Sequence, residues 1–255
     1  MKNYQPLREN IRPNCVKNII KIKLNDFKIL VTERRDYFLS SLKEGDAYIV
    51  KQVVDKEILK DLKNQVHNFG TQTKESWHDT KSGIPNFHQI DNELKYFNIK
   101  KIAHTYHFFL WNKDEPNVYD TFSEMLKLYQ IINGHRDNKF PHEINNHDVV
   151  NRLQIHHYPS GGGYMDNHND PDIYLNTLAI IYMSKYGVDY QTGGLYFIDR
   201  NNLEVSVDKL TDIGDMVFAY PTITHGCKPI DSDESINWDY SRGRWLVLFN
   251  TLLRQ

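Results

Sequence analysis

The chain has 255 residues, of which 40% are hydrophobic and 25% are charged, and its formal net charge is −2. This is the balance of an ordinary soluble globular protein, and it excludes a strongly basic surface for nucleic acid or for an anionic membrane. Two cysteines, Cys15 and Cys227, are too few for a disulfide framework, so we expect the chain to fold in a reducing compartment.

The N-terminal sequence lacks the apolar core of a signal peptide. No apolar run in the chain approaches the roughly 18 residues that a membrane helix needs. We therefore expect a cytoplasmic protein that inserts into no membrane and binds no nucleic acid.

The first part of the chain, up to about residue 150, has the pattern of a mixed α/β region. Short alternating segments predict strands at Ile19–Leu24 and Lys28–Thr32. A helix is predicted from Asp55, which can cap it, to Phe69, with Gly70 placed to end it. The apolar face of this helix is predicted to consist of Ile58, Leu62, Val66 and Phe69.

A second helix is predicted from Asn117 to Ile132, because apolar residues recur there at helical spacing before an Asn-Gly stop. The helical period then disappears, and short strands separated by turn signals follow at regular intervals. Such spacing is typical of a sandwich or barrel. The predicted strands are Leu153–Tyr158, Leu178–Met183, Leu195–Asp199, Glu204–Val207, Asp215–Tyr220 and Arg244–Asn250.

The fold prediction is therefore mainly β: a jelly-roll core, also called a double-stranded β-helix, supported by N-terminal α-helices. We expect residues 1–255 to form a single domain. Within it, residues 1–150 are expected to form the α/β support and the substrate side, and residues 151–255 the core.

Three residues have the types and spacing of a metal site. His168 and Asp170 stand two apart where a strand is expected to begin, so their side chains should project from one face. His225 follows a later predicted strand that can be a spatial neighbour. Two histidines and one carboxylate form the facial triad of non-haem Fe(II) oxygenases, which leaves positions open for other ligands. A His-x-Asp pair is also common by chance, as a turn-capping Asp beside a solvated His.

Arg244 opens an otherwise apolar predicted strand. A guanidinium is costly to bury unless an anion meets it, and its paired N–H groups match the two oxygens of a carboxylate. The alternative is that Arg244 is merely the exposed first residue of its strand.

Six segments from residue 153 onward resemble the catalytic domain of the prolyl 4-hydroxylases, in the same order along the chain. Residues 153–170 contain a Leu-Gln strand that leads through a tyrosine and a glycine-rich turn to His-x-Asp. Residues 180–184 resemble the next core strand, and residues 193–194 a Gly-Gly turn. Residues 212–218 resemble a "kxGdallF" strand, residues 225–230 an "HxGxPV" segment and residues 243–245 a "GxKW" segment.

This resemblance implies an Fe(II)- and 2-oxoglutarate-dependent dioxygenase. It implies that His168, Asp170 and His225 hold Fe(II) and that Arg244 binds 2-oxoglutarate, with Tyr158 directed toward this cosubstrate. O₂ is the second cosubstrate and ascorbate a further cofactor. Arginine stands where prolyl hydroxylases have lysine, which points toward the wider oxygenase superfamily.

The activity predicted from this resemblance is hydroxylation of a small molecule with release of succinate and CO₂. Substrate contacts are expected from the stretch Ile84–Gln89. The aromatic run His104–Trp111 is a further candidate, although its pattern favours a buried strand. Three alternatives stay open at this point: a cupin-like metalloenzyme that does not use 2-oxoglutarate, a prolyl or protein hydroxylase, and a non-enzymatic jelly roll.

Overall fold

The computed structural model describes residues 13–79, 81, 83–96, 99–109, 111–112, 116, 118–134, 149–172 and 177–253. Strands predominate, as predicted. The four α-helices of these residues are α1 (Leu24–Glu33), α2 (Arg35–Lys43), α3 (Lys56–Gln72) and α4 (Val118–Ile132). None of the helices in the described ranges combines the length and the apolar character needed to cross a membrane.

Helix α1 contains Lys28–Thr32, so the prediction of a strand there was wrong. Phe27 and Val31 stand one helical turn apart and are both fully buried. Phe27 stacks on Phe218 of the sheet, with ring centroids 5.0 Å apart. Burial of one apolar face stabilises the helix, and this tertiary contact overrides the weak preference for a strand that the alternating sequence indicates.

Helix α3 confirms the predicted cap, because the side chain of Asp55 accepts hydrogen bonds from the backbone N–H groups of Glu57 and Ile58. The predicted end at Gly70 was wrong, since the helix continues to Gln72. The predicted apolar face was wrong at Ile58, which is 51% exposed, whereas Leu59 is fully buried.

The twelve strands of the described residues form one hydrogen-bonded sheet. Its path runs β1-β2-β10-β7-β12-β5-β4-β6-β11-β8-β9, and β3 pairs with β4 beside this path. The strands are β1 (Asn18–Lys23), β2 (Asp46–Lys51), β3 (Phe87–Tyr96), β4 (Ile99–Phe109), β5 (Val149–Pro159), β6 (Gly163–His168), β7 (Leu178–Tyr182), β8 (Gly194–Ile198), β9 (Glu204–Ser206), β10 (Met216–Ala219), β11 (His225–Ile230) and β12 (Gly243–Leu253).

Strand β4 joins two layers of this sheet. Residues 104–109 pair with β5, and Lys101 and Ile102 pair with β6, so the sheet curls around an interior at β4. One layer holds β1, β2, β10, β7, β12 and β5, and the other holds β6, β11, β8 and β9. Strands from the N-terminal half are thus part of the sheet that carries the core. The run His104–Trp111 lies largely in β4, and its residues 104–109 are buried.

Candidate metal centre and barrel interior

The predicted triad comes together where β6 ends and β11 begins. His168 is the last residue of β6 and lies opposite His225, the first residue of β11. Asp170 follows the strand, so the expectation that a strand begins at this pair was wrong. Its backbone N–H donates to the carbonyl of Pro221, which fixes the carboxylate beside the two rings.

The three side chains offer ligand atoms that all lie within 4.8 Å of one another. Nε2 of His168 is 3.6 Å from Oδ1 of Asp170, and Nε2 of His225 is 3.8 Å from Oδ2. Two imidazoles and one carboxylate at this separation fit a single transition-metal ion.

Each ring of the triad is oriented by a backbone carbonyl. Nδ1 of His168 lies 2.9 Å from the carbonyl oxygen of Asp166, and Nδ1 of His225 lies 2.8 Å from that of Ile223. A proton on Nδ1 donates to the carbonyl, which leaves the lone pair of Nε2 for a metal. Burial also lowers the pKa of His225, which favours the neutral, ligating form.

Arg244 lies fully inside the barrel and already has a carboxylate partner. Its Nε donates to Oδ2 of Asp208 over 2.6 Å, and its Nη2 donates to Oδ1 over 3.1 Å. The hydroxyls of Tyr182 and Tyr190 donate to the same carboxylate over 2.6 Å and 2.5 Å. We refer to Asp208, Arg244, Tyr182 and Tyr190 as the Asp208 cluster. The alternative that Arg244 is an exposed strand end is excluded, since it is 1% exposed.

The Asp208 cluster is stabilised by charge pairing and by close packing. Burial disfavours the charge of Arg244, but the Asp208 carboxylate outweighs it, and the pKa of Arg244 lies well above its usual value. Gly194 makes room for the carboxylate: a Cβ added at this residue would lie 2.2 Å from Oδ2 of Asp208. No pattern in the sequence analysis pointed to Asp208, because its partner is distant along the chain.

Tyr158 lies opposite Arg244 in the pairing of β5 with β12, and the guanidinium carbon is 5.6 Å from its ring centroid. Its hydroxyl lies 3.9 Å from the sulfur of Met165 on β6, in the layer that carries His168. Burial raises the pKa of Tyr158, and the nearby charges of Asp208 and Asp170 raise it further while Arg244 lowers it. Tyr158 is therefore a neutral phenol within electrostatic reach of both Arg244 and the metal centre.

This chain is similar to known proteins in its fold, and the sequence comparisons found no match. No protein-family model matches the sequence, and no curated protein matches it. Among solved structures, a prolyl-4-hydroxylase from Pseudomonas putida matches with a TM-score of 0.55 and 11% identity, over 87% of this chain and 99% of that chain.

Two further structures match over most of their length. The structure of JOX2 in complex with 2OG, Fe and JA matches with a TM-score of 0.54 and 13% identity, over 95% of this chain and 76% of that one. A 2OG-Fe(II) oxygenase family protein from Caulobacter crescentus has a TM-score of 0.52 and 14% identity, over 92% and 86%. These matches confirm the predicted jelly-roll fold, which is the fold of 2OG-Fe(II) oxygenases.

Proposed function

We propose that this protein is an Fe(II)- and 2-oxoglutarate-dependent dioxygenase that hydroxylates a small organic molecule. The observation that carries the proposal is the convergence of His168, Asp170 and His225 within 4.8 Å, in a fold shared with enzymes of this class. When bound, iron and the oxoacid supply O₂ activation and oxidation of the substrate, with succinate and CO₂ as co-products.

The triad fits iron by the chemistry of its donors. Two neutral imidazole nitrogens and one carboxylate are the set found in non-haem Fe(II) oxygenases, and three protein ligands leave positions open for an oxoacid and for O₂. The carbonyl contacts of both Nδ1 atoms hold these rings in place before metal binds.

Arg244 and Tyr158 are the residues we propose for 2-oxoglutarate. A guanidinium has five N–H groups, and Asp208 accepts from the Nε and Nη2 side only. We assign the Nη1 end to the distal carboxylate of the cosubstrate, with Asp208 fixing the orientation of the guanidinium. A lysine could not bind two carboxylates on two edges in this way, which gives a physical reason for arginine at this position.

A small-molecule substrate is supported by one structural neighbour, whose structure contains JA together with 2OG and Fe. The proposal is tested by anaerobic loading with Fe(II), measurement of the metal content, and assay of succinate release from 2-oxoglutarate under air. We expect about one iron per chain in the wild type and release of succinate that depends on iron.

Asp170→Ala is the sharpest variant for this test, because it removes one proposed ligand from an already part-exposed position. Asp166→Ala is its matched control, since Asp166 is an exposed aspartate on the same strand end. We expect loss of iron and of succinate release in the first variant and neither in the second. Full iron content and full turnover in Asp170→Ala would refute the proposal.

A further inference from the structure

A second polar cluster lies inside the barrel, on neighbouring strands β4 and β5. Thr105 is paired with His156, and His107 is paired with Gln154. Residues that face each other on adjacent strands share one side of the sheet, and alternate residues of a strand do the same. Thr105, His107 and His156 therefore share the face of β5 that carries Tyr158. We refer to these three residues as the His156 cluster.

Four side-chain polar atoms of the His156 cluster are unsatisfied. Oγ1 of Thr105, Nε2 of His107 and both ring nitrogens of His156 are buried, and none of them has a hydrogen-bond partner in the described part of the chain. The three residues are 1%, 2% and 6% exposed, so bulk water does not solvate them. Buried polar atoms are nearly always hydrogen-bonded, and several unsatisfied ones on one face indicate a missing partner.

The unsatisfied atoms are mainly donors. Burial, with Arg152, His156 and Lys101 nearby, holds the pKa of His107 well below its ordinary value, so the ring is neutral. The side-chain nitrogen of Gln154 lies 3.3 Å from Nδ1 of His107, and its oxygen accepts from Asn250. Nδ1 of His107 is thus the acceptor, and the proton is on the unsatisfied Nε2.

His156 is neutral for the same reason, since burial together with Lys101, Arg152 and Arg244 holds its pKa well below the ordinary value. A neutral imidazole offers one N–H, and the hydroxyl of Thr105 offers one O–H. With Nε2 of His107, three donors on one face have no acceptor among the described residues. The charged groups that act on His156 are the cations Lys101, Arg152 and Arg244. Lys101 is paired with Asp91 and Arg244 with Asp208, so Coulomb attraction adds only modestly to the case for an anionic acceptor. A carboxylate is an acceptor-only anion and fits both conditions.

An apolar group adjoins the cluster at His107. The ring of Phe87 stacks on His107 with centroids 4.3 Å apart, and Trp77 meets His107 edge-on at 6.3 Å. Trp77 is 48% exposed, so this aromatic group extends from the barrel interior to the surface. A ligand that placed its carboxylate on the His156 cluster would therefore lay an apolar body against Phe87 and Trp77.

We propose that the His156 cluster binds the carboxylate of the organic substrate, and hence that the substrate is a small organic acid with an apolar body. This inference rests on the proposed function and narrows it to a substrate class. The aromatic neighbours favour the organic substrate over 2-oxoglutarate as the source of the carboxylate, because 2-oxoglutarate has no apolar body.

The test compares carboxylic acids with their neutral amides. A panel of phenyl- and alkyl-substituted propanoates and the matching propanamides is titrated calorimetrically into the purified chain without 2-oxoglutarate. We expect at least one acid to bind the wild type about tenfold more tightly than its amide. This is the contribution to affinity that a hydrogen bond to a charged group usually makes. His156→Leu and Thr105→Val should each reduce or remove this preference. No acid that binds better than its amide, or a preference that survives unchanged in both variants, would overturn the proposal.

His157→Leu is the matched control. This neighbouring histidine faces the other side of β5, where its Nε2 donates to the carbonyl of Arg242 over 2.9 Å. We expect it to lower the melting temperature without changing the preference for the acid, whereas His156→Leu should leave the melting temperature of the ligand-free protein unchanged or raised. A lower melting temperature in His156→Leu, with an unchanged acid preference, would show a structural histidine and overturn the proposal.

A second arm identifies the source of the carboxylate. Binding of 2-oxoglutarate to the iron-loaded protein is measured in the wild type and in His156→Leu, and we expect affinities within about twofold. A tenfold loss would assign the cluster to the cosubstrate and overturn the assignment to the substrate. Failure of the wild type to bind iron or 2-oxoglutarate would refute the proposed function instead, because the comparison of acid with amide uses neither.

Discussion

The two polar clusters inside the barrel differ in how far the protein satisfies them. In the Asp208 cluster, one carboxylate receives two hydrogen bonds from Arg244 and one from each of two tyrosines. In the His156 cluster, four buried polar atoms have no hydrogen-bond partner among the residues that the structure describes. Both clusters are almost fully buried, so both incur the full cost of desolvation. Only in the Asp208 cluster do hydrogen bonds among the described residues offset this desolvation cost.

The difference separates a contribution to stability from a contribution to binding. Removing one partner of a satisfied buried ion pair strongly destabilises the folded protein, because an uncompensated buried charge remains. An unsatisfied polar group stabilises nothing in the ligand-free fold, and its replacement by an apolar residue of similar shape is neutral or stabilising. Mutation of Asp208 should therefore lower the free energy of unfolding, whereas mutation in the His156 cluster should lower ligand affinity.

The largest expected effect is that of Asp208→Ala. This change leaves the guanidinium of Arg244 buried without its counterion, and we expect the free energy of unfolding to fall by about 3–5 kcal/mol. Urea denaturation at neutral pH measures it. Asp166→Ala, at an exposed position, should change the value by less than about 0.5 kcal/mol. Equal values for the two variants would contradict the assignment of a stabilising ion pair.

Gly194→Ala should destabilise the protein by about 1–3 kcal/mol beyond the loss in Gly187→Ala, which is the usual cost of overpacking. Both glycines have a left-handed φ, +102° and +79°. An added Cβ at Gly187 meets nothing within 4 Å, whereas at Gly194 it meets the Asp208 carboxylate at 2.2 Å. The difference in their urea midpoints therefore isolates the packing around Asp208. Equal midpoints would show that the cluster adapts freely.

The pH dependence of stability should become shallower in His156→Leu. The pKa of His156 is lower in the folded protein than the usual 6.5, so below this pH the unfolded chain binds the proton first and acid favours unfolding. Removal of the residue should reduce the loss of stability by up to about 1.4 kcal/mol per pH unit between pH 6.5 and 5. Urea midpoints at several pH values test this, and parallel curves for variant and wild type would contradict a neutral buried ring.

The smallest expected effect is on the stability of His156→Leu at pH 7.5. We expect the free energy of unfolding to stay within about 1 kcal/mol of the wild type, because no hydrogen bond is lost. His157→Leu loses its bond to the carbonyl of Arg242 and should cost about 1–3 kcal/mol in the same assay. A larger cost for His156 than for His157 would contradict the claim that the unsatisfied ring of His156 contributes nothing to stability.

The sequence predicted that His168, Asp170 and His225 converge, and the structure brings their ligand atoms within 4.8 Å of one another. For the first two residues the signal is local. His168 and Asp170 are two residues apart, and the neighbouring turn and strand patterns located His225 as well. Asp208 was missed because its contact with Arg244 depends on strand order, and no periodicity encodes which strands become neighbours. His156 could have been found, since alternation along the predicted strand places it on the same side as Tyr158.

The errors in secondary structure have a similar origin. The alternation over Lys28–Thr32 satisfied a strand pattern, but the contact of Phe27 with Phe218 decided for a helix. At Gly70 the helix continues, and the glycine is required there for a different reason: it lies against the rings of His104 and Tyr106, where a side chain would clash at 2.7 Å. The helix over Lys28–Thr32 and the glycine within α3 both depend on close packing between elements, which sequence patterns do not report.

The most direct test of the central claim is a difference absorption spectrum recorded without O₂. The Fe(II)-loaded wild type is mixed with 2-oxoglutarate and compared with His225→Ala treated identically. We predict a visible charge-transfer band of an iron-bound oxoacid in the wild type and none in the variant. An iron-loaded wild type that shows no band at saturating 2-oxoglutarate, or a band of equal strength in His225→Ala, would contradict the account.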